Sequence, residues 1–175
     1  DQVGVDNQSA VFKLVDHLAG HGYREIALLP GHDGYATTNE RIAAFSARMA
    51  YHGHAATARV CPPSNSSDAA AAHAAALLAG PSRPEALVTG NNLSTIGAMR
   101  AIRQAGLRVP ADIALVGIDD FEWADSFEPR LTVVAQPCQD IGKSAADLMR
   151  ARIKSPLSTV KTLRLNPKLI CRDSC

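Results

Sequence analysis

Short apolar runs alternate with amphipathic segments along most of the chain. Runs that favour β-strands begin near residues 25, 57, 86 and 113, about 30 residues apart, and a helix-like segment separates each pair. This spacing is typical of successive βαβ units, in which crossover helices join parallel strands. We therefore predict an α/β fold with a parallel sheet and helices on both faces.

The clearest strand pattern is the unbroken apolar run from Ile113 to Ile118, which ends in Asp119 and Asp120. Such a run is typical of a strand that is buried on both faces of a parallel sheet. Ligands of open α/β sheets bind outside the carboxyl ends of the strands. The end of this strand is therefore the place where we expect a binding site.

Capping residues, glycine stops and periodicity predict the remaining elements. Helices are predicted at 7–21, 38–51, 67–79, 94–105 and 140–153, and strands at 25–29, 57–60, 86–89 and 131–134, with an extended tail at 162–171. We expect the helix at Thr38 to begin with a capping box that Thr37 and Glu40 form.

Composition narrows the class of protein. The chain has 175 residues and 46% hydrophobic content, enough to bury the core of one domain. Its formal net charge of +1 and the lack of a basic run argue against direct nucleic-acid or membrane-surface binding. With no membrane-spanning or signal-peptide pattern, and four cysteines without zinc spacing, we expect a reducing, cytoplasmic location.

The sequence contains no complete enzyme signature. The Gly142-Lys143-Ser144 tripeptide resembles the end of a phosphate-binding loop, but Pro137 occupies the position of the loop's first glycine. His17 and His21 have a metal-binding spacing without a third ligand nearby. The sequence also lacks a nucleophile elbow and a dinucleotide-binding glycine loop. We predict no catalytic residue, no metal and no cofactor.

Three polar residues are predicted to collect at the strand ends, namely Arg41, Asn91 and Asp119. A guanidinium, an amide and a carboxylate supply fixed donors and acceptors that orient a polyhydroxyl or heterocyclic ligand. Each residue alone also has an ordinary explanation: a surface cation, a turn residue and a helix cap, respectively. Their shared predicted location favours binding.

Several blocks in a fixed order carry a resemblance to a known family. The blocks are VDN, HLAGHGYREIALLPG, NERIAAF, VTGNNLSTIGAMRAIRQAGLRVPADIALVGIDD and PRLTVVAQP. Together they resemble the effector-binding domain of LacI/GalR-type transcriptional regulators. The resemblance implies a fold like that of periplasmic sugar-binding proteins, with a ligand between two α/β subdomains. A helix-turn-helix and most of the N-terminal subdomain are expected to precede Asp1.

The resemblance also implies a division of the chain. Residues 1–137 are expected to form the C-terminal effector-binding subdomain, 138–160 a helix of the N-terminal subdomain, and 161–175 a return to the C-terminal subdomain. The apolar face of the helix would be exposed without its subdomain. We expect this helix to fold back, to swap with a neighbour or to be poorly ordered.

By the same resemblance, Arg41 holds hydroxyl or carboxylate groups of the ligand, Asn91 also contacts it, and Asp119 closes from the opposite wall. Asn92 stands where the family usually has an aspartate, and Ala44 where a glycine is common. The first departure changes which polar groups of a ligand the site can satisfy. The expected partner is a small polar effector, a sugar or a related metabolite.

A dimer surface follows from the resemblance as well. Ile96, Arg100 and Phe127 match positions at which family members meet their twin, and an apolar patch with an arginine suits an isologous interface. The other interpretation is that these residues belong to an ordinary core or surface.

The predicted function is that of a ligand-sensing and dimerisation module of a repressor. It would control operator binding allosterically, and only through a helix-turn-helix outside this chain. Two alternatives stay open at this point. A sugar-binding transport receptor shares the fold but needs a signal peptide. An α/β enzyme would use Asp119 or Asp120 as a base, and Asp119→Asn would then abolish turnover.

Overall fold

The computed structural model describes residues 1–175. The strands are β1 (Gln2–Val5), β2 (Ile26–Leu29), β3 (Arg59–Val60), β4 (Ala86–Thr89), β5 (Ala114–Ile118), β6 (Thr132–Ala135), β7 (Thr162–Leu165) and β8 (Lys168–Ile170). The helices are α1 (Asn7–Gly20), α2 (Ala36–Tyr51), α3 (Ser67–Ala79), α4 (Asn92–Gln104) and α5 (Cys138–Lys154). A short 3-10 helix, Ala124–Ser126, lies between β5 and β6. None of the five helices has both the length and the apolar character of a membrane span.

Six strands form one sheet in the order β3-β2-β4-β5-β6-β8. The first five are parallel, and β8 runs antiparallel to β6. Helices α2, α3 and α4 connect successive parallel strands, as a βαβ arrangement requires. The α/β fold with a mostly parallel sheet, predicted from the strand spacing, is confirmed.

The two faces of this sheet support separate cores because successive strand residues point to opposite sides. Ile26 and Leu28 of β2 pack with residues of α1 and α2, whereas Ala27 and Leu29 pack with residues of α3 and α4. Every residue of β2, β4 and β5 is buried. The central strands are therefore covered by helices on both sides, as their unbroken apolar runs predicted.

Helix α1 begins as predicted, and helix α2 does not. The Asp6 carboxylate accepts a hydrogen bond from the Ser9 amide at 2.9 Å, which caps α1. The predicted capping box of α2 was wrong, because the helix begins at Ala36 after Tyr35, which makes no side-chain cap. Glu40 instead accepts a hydrogen bond from the buried Asn7 amide, which needs an acceptor.

Strands β1 and β7 pair in parallel in a two-stranded sheet that is separate from the six-stranded one. Helix α5 is continuous and lies against β1, but none of its residues is buried. Met149 and Ile153 keep 63% and 72% of their surface exposed. The predicted boundaries at 137 and 160 stay a prediction, and β1, α5 and β7 will be called the small unit.

The chain passes three times between the small unit and the six-stranded sheet. The crossings lie between β1 and α1, between β6 and α5, and between β7 and β8. The first and third are bonded to each other, since the Asp6 amide donates to the Leu165 carbonyl at 2.8 Å. The Ser9 hydroxyl donates to the Asn166 side chain at 2.8 Å. The two parts of the chain therefore meet at a narrow, hydrogen-bonded waist.

Close packing of α3 on α4 generates a stability prediction. A Cβ atom on Gly97 of α4 would lie 2.6 Å from Ala70 Cβ and 2.7 Å from the Ala71 nitrogen of α3. Gly97→Ala should therefore lower the free energy of unfolding by about 1–3 kcal/mol in urea denaturation. Gly142 on α5 has no atom within 4 Å of its Cβ position. Gly142→Ala is the control, and it should be neutral or slightly stabilising; equal losses in both variants would contradict the prediction.

Candidate functional site

A rim of polar groups lies where β2, β4 and β5 end. Gly31 follows β2, Gly90 and Asn91 follow β4, and Asp119 follows β5. Arg41 comes from the second turn of α2, which begins just beyond the end of β2. Because the three strands are parallel neighbours, their carboxyl ends meet at one edge of the sheet.

Arg41 is the central cation of this rim, and only 8% of its surface is exposed. Its Nε donates to Asn7 Oδ1 at 2.8 Å, and its Nη1 donates to the carbonyl of Gly90. Burial lowers the pKa of Arg41, while the carboxylates of Asp119 and Glu40 act to raise it. An arginine keeps its proton at neutral pH all the same. A permanent positive charge is thus held between the first crossing and the end of β4.

Asn91 is both a helix cap and a possible donor. Its Oδ1 accepts a hydrogen bond from the Ser94 amide at 2.8 Å and so starts α4. Its Nδ2 lies 2.9 Å from the position of a Cβ on Gly31. Gly90 has no room for a side chain, because a Cβ there would overlap the backbone of Pro30. The strand ends therefore approach each other closely at Asn91.

Asp119 has an unusual backbone conformation. Its φ is 87°, and it is the only residue other than glycine with a positive φ. Such conformations cost energy and cluster at functional sites. Its carboxylate accepts a hydrogen bond from the Gln136 amide, whereas the carboxylate of Asp120 pairs with Arg172 at 3.0 Å. The two neighbouring acids thus have separate partners.

The structure places all three predicted ligand residues along one edge of the sheet. Arg41 donates to the carbonyl of Gly90, the residue before Asn91, and the Asp119 carboxylate acts to raise the pKa of Arg41. Two ordinary explanations fail, since Arg41 is not a surface cation and Asp119 caps no helix. Asn91 does cap a helix. Their binding of a ligand stays a prediction.

Sequence reasoning missed the residues that tie this rim to the crossings. Asn7 at the first crossing donates to Glu40 and accepts from Arg41. Gln136 at the second crossing donates to Asp119. Arg164, just before the third, lies 3.6 Å from the Glu40 carboxylate. Periodicity carries no signal for such partners, and only the VDN block pointed near one of them.

A pocket of about 450 Å³ lies beside this network. Its lining includes Asn7, Glu40 and Arg164. None of the three predicted ligand residues lines this pocket. The pocket and the polar rim are therefore separate features of the surface.

The predicted dimer residues lie on the side of the sheet that α3 and α4 cover. Ile96 is half-buried, and Arg100 pairs with Asp68 of α3 while 38% of its side chain stays exposed. The Phe127 ring meets the Trp123 ring edge-on, with 4.9 Å between centroids. Their role in a dimer stays a prediction.

Two motifs that looked weak in the sequence have structural explanations. The tripeptide 142–144 lies inside α5, as its helical pattern predicted. The rings of His17 and His21 pack edge to face at the end of α1, with centroids 4.5 Å apart. The chain contains no group of three His, Cys, Asp or Glu side chains placed to hold a metal.

The backbone of Asp119 generates a prediction that separates strain from side-chain contacts. Asp119→Gly and Asp119→Ala both remove the contact with Gln136, but only alanine keeps the unfavourable positive φ. The glycine variant should therefore be more stable, by about 1 kcal/mol in urea denaturation. The same pair at Asp120, which lacks a positive φ, is the control and should show the reverse order. A more stable alanine variant at 119 would contradict the strain.

Comparison with known proteins gives one consistent result. A family of periplasmic binding protein-like domains matches residues 15–175. The PurR transcriptional repressor of Vibrio campbellii is 30% identical over 175 residues, which cover 99% of this chain and 52% of the relative. The ribose operon repressor of Escherichia coli K12 is 42% identical over 98 residues, which cover 56% of this chain and 30% of the relative.

A solved structure agrees. The LacI transcriptional regulator from a Rhodococcus species superposes with a TM-score of 0.88 at 30% identity, covering 97% of this chain and 62% of that one. The chain spans about half the length of the PurR relative that it matches. The relatives are transcriptional repressors, a class that does not favour the transport-receptor alternative. The chain belongs to the periplasmic binding protein-like domain family, as part of the effector-binding domain of LacI-type regulators.

Proposed function

We propose that this chain is the ligand-sensing part of a LacI-type repressor and that Arg41, Asn91 and Asp119 contact its effector. The observation that carries the proposal is the buried Arg41 guanidinium, which is bonded to both a crossing and a strand end. A ligand that takes up hydrogen-bonding capacity at this rim would act directly on the joint between the two parts of the chain.

The chemistry of the rim favours a small polar effector. A guanidinium and an amide nitrogen donate, and the Asp119 carboxylate accepts, which suits the alternating donors and acceptors of a sugar's hydroxyl groups. The name of the ribose operon repressor associates one relative with a sugar. We therefore propose a sugar or a related polar metabolite, with no cofactor.

The small unit would be part of the N-terminal subdomain in this proposal. Its β1 and β7 pair only with each other, and Met149 and Ile153 of α5 form an apolar surface that a larger subdomain would cover. The subdomain boundaries would then fall at the crossings, which keeps the one at 137, moves the one at 160 to 165 and adds one after residue 5. Residues 1–5 and 138–165 would belong with the N-terminal part.

The allosteric step would be a change in angle between the two subdomains. Three contacts join the rim to the crossings: Arg41 with Asn7, Asp119 with Gln136, and Glu40 with Arg164. An effector that binds one closure angle better shifts the population toward it. The protein would act in the cytoplasm. Operator DNA would be bound only by a helix-turn-helix outside these residues, since this chain has a net charge of +1 and no basic run.

Dimerisation would use Ile96, Arg100 and Phe127. All three lie on the side of the sheet opposite α1 and α2, and each keeps part of its surface accessible. A twofold interface on this side would leave the polar rim and the crossings free to move.

Ligand binding can be tested by thermal shift. We expect a pentose, a hexose or a nucleobase from a screening panel to raise the melting temperature, because it binds the folded state alone. Asp119→Asn should abolish the shift, since it replaces an acceptor-only group with an amide. Asp147→Asn on the exposed part of α5 is the matched control and should keep the full shift. Retained binding by Asp119→Asn would contradict the assigned role.

Dimerisation can be tested by sedimentation equilibrium. Ile96→Glu would place two like charges at a twofold contact, and it should weaken self-association by about a hundredfold or more. Leu157→Glu is the control, because Leu157 is fully exposed in the loop after α5. Unchanged association of the Ile96 variant would exclude this surface as the interface.

A further inference from the structure

A single guanidinium holds the loop between β5 and β6 at three places. Arg172 follows β8, and only 10% of its side chain is exposed. Its Nη2 lies 3.0 Å from Asp120 at the start of the loop, and its Nε lies 2.6 Å from Asp125 in the 3-10 helix. Its Nη1 donates to the carbonyl of Leu131 at the end of the loop, at 2.8 Å. All three kinds of guanidinium nitrogen are therefore engaged by one segment.

This loop joins the proposed effector site to the proposed dimer surface. It begins next to Asp119, and it carries three aromatic rings. Phe121 and Trp123 have ring centroids 3.7 Å apart, and Trp123 and Phe127 have centroids 4.9 Å apart. The two Phe side chains pack against the core on the α3 and α4 side of the sheet. A shift of the loop would therefore move Asp119 and the aromatic rings together.

Only an arginine can make this set of contacts. Its planar fork presents five N–H donors in fixed directions, whereas a lysine ammonium is a point charge that cannot span the three acceptors. The neighbouring pair of Arg130 with Asp173 ties the same tail to the same loop, but both side chains are more than half exposed. Exposed pairs contribute little. Arg172 is the cation that forms ion pairs with both Asp120 and Asp125, and its loss would break both pairs.

We propose that Arg172 is a positioning residue that fixes the loop 119–131 and thereby couples effector binding at Asp119 to dimerisation at Phe127. This inference rests on the proposed function, although Arg172 belongs to neither proposed surface. Because it pairs with Asp120 and Asp125, its role is to transmit a change between the two surfaces rather than to bind the effector or the partner.

The first experiment measures loop order without a ligand. Trp123 is the only tryptophan of the chain, so acrylamide quenching of its fluorescence reports on this loop alone. Arg172→Gln should raise the quenching constant by about twofold at most, because the ring is already 37% exposed and becomes more accessible when the loop loosens. Arg172→Lys should give an intermediate value. Arg130→Gln is the matched control and should quench like the wild-type protein.

The second experiment measures coupling. The dimer dissociation constant is determined by sedimentation equilibrium with and without D-ribose, or with the best ligand of the thermal-shift panel if ribose does not bind. In the wild-type protein and in Arg130→Gln the ligand should change this constant, by about tenfold for a typical coupling free energy. In Arg172→Gln the ratio should fall to near one. A purely structural role would lower the melting temperature and leave the ratio intact, which would overturn the proposal.

Two further outcomes are assigned in advance. If Arg172→Gln does not fold, Asp125→Ala takes its place, since it removes the carboxylate that Arg172 Nε contacts, at an exposed position. If the wild-type protein neither dimerises nor binds any ligand, the proposed function fails. The quenching comparison then still shows whether Arg172 fixes the loop. Equal quenching in the Arg172 and Arg130 variants would show that Arg172 does not fix the loop.

Discussion

The buried cation of Arg41 is the constraint on which the rest of the site depends. Burying a charge costs several kcal/mol unless fixed partners replace its water. Here Asn7 and the Gly90 carbonyl supply those partners, and each is itself held. Asn7 donates to Glu40, and Gly90 is pressed against the backbone of Pro30. The position of the guanidinium therefore fixes the first crossing relative to the end of β4, and both relative to α2. Any group that competes for this cation acts on all three elements.

The two acids at the end of β5 are bonded to different parts of the structure. Asp119 is bonded to Gln136 at the second crossing, and Asp120 to Arg172 in the C-terminal segment. Because the chain turns at Asp119, the two successive carboxylates reach different partners, and one strand end serves two networks. One network runs toward the second crossing, and the other runs toward the loop between β5 and β6. The positive φ of Asp119 turns the chain at the point where the two networks separate.

Most of the fold follows from patterns that act over short distances. The apolar runs of β2, β4 and β5 and the capping position before α1 are local features, and they placed these elements to within a few residues, whereas α4 begins two residues before its predicted start because Asn91 caps it. The Thr37 and Glu40 spacing failed because Glu40 has a stronger partner in Asn7, 33 positions away in the chain. The pairing of Gln2 with Thr162 has no signature in either strand, since each is short and isolated. The three polar residues of the rim were found because parallel strands share one edge. Their partners at the crossings could not be predicted, because those contacts arise only after the chain has folded.

Ser174, near the end of the chain, joins two neighbouring strands of the six-stranded sheet that come much earlier in the sequence. Its hydroxyl donates to the Leu115 carbonyl at 2.5 Å and accepts from the Thr132 amide at 2.9 Å, and its own carbonyl accepts from the Leu115 amide. It is fully buried between β5 and β6. During vectorial synthesis those two strands leave the ribosome about 40 residues before the serine that joins their ends. Until then β6 pairs with β5 alone, because β8, which covers its other side, lies at residues 168–170, and that open edge is a site at which another nascent chain could pair.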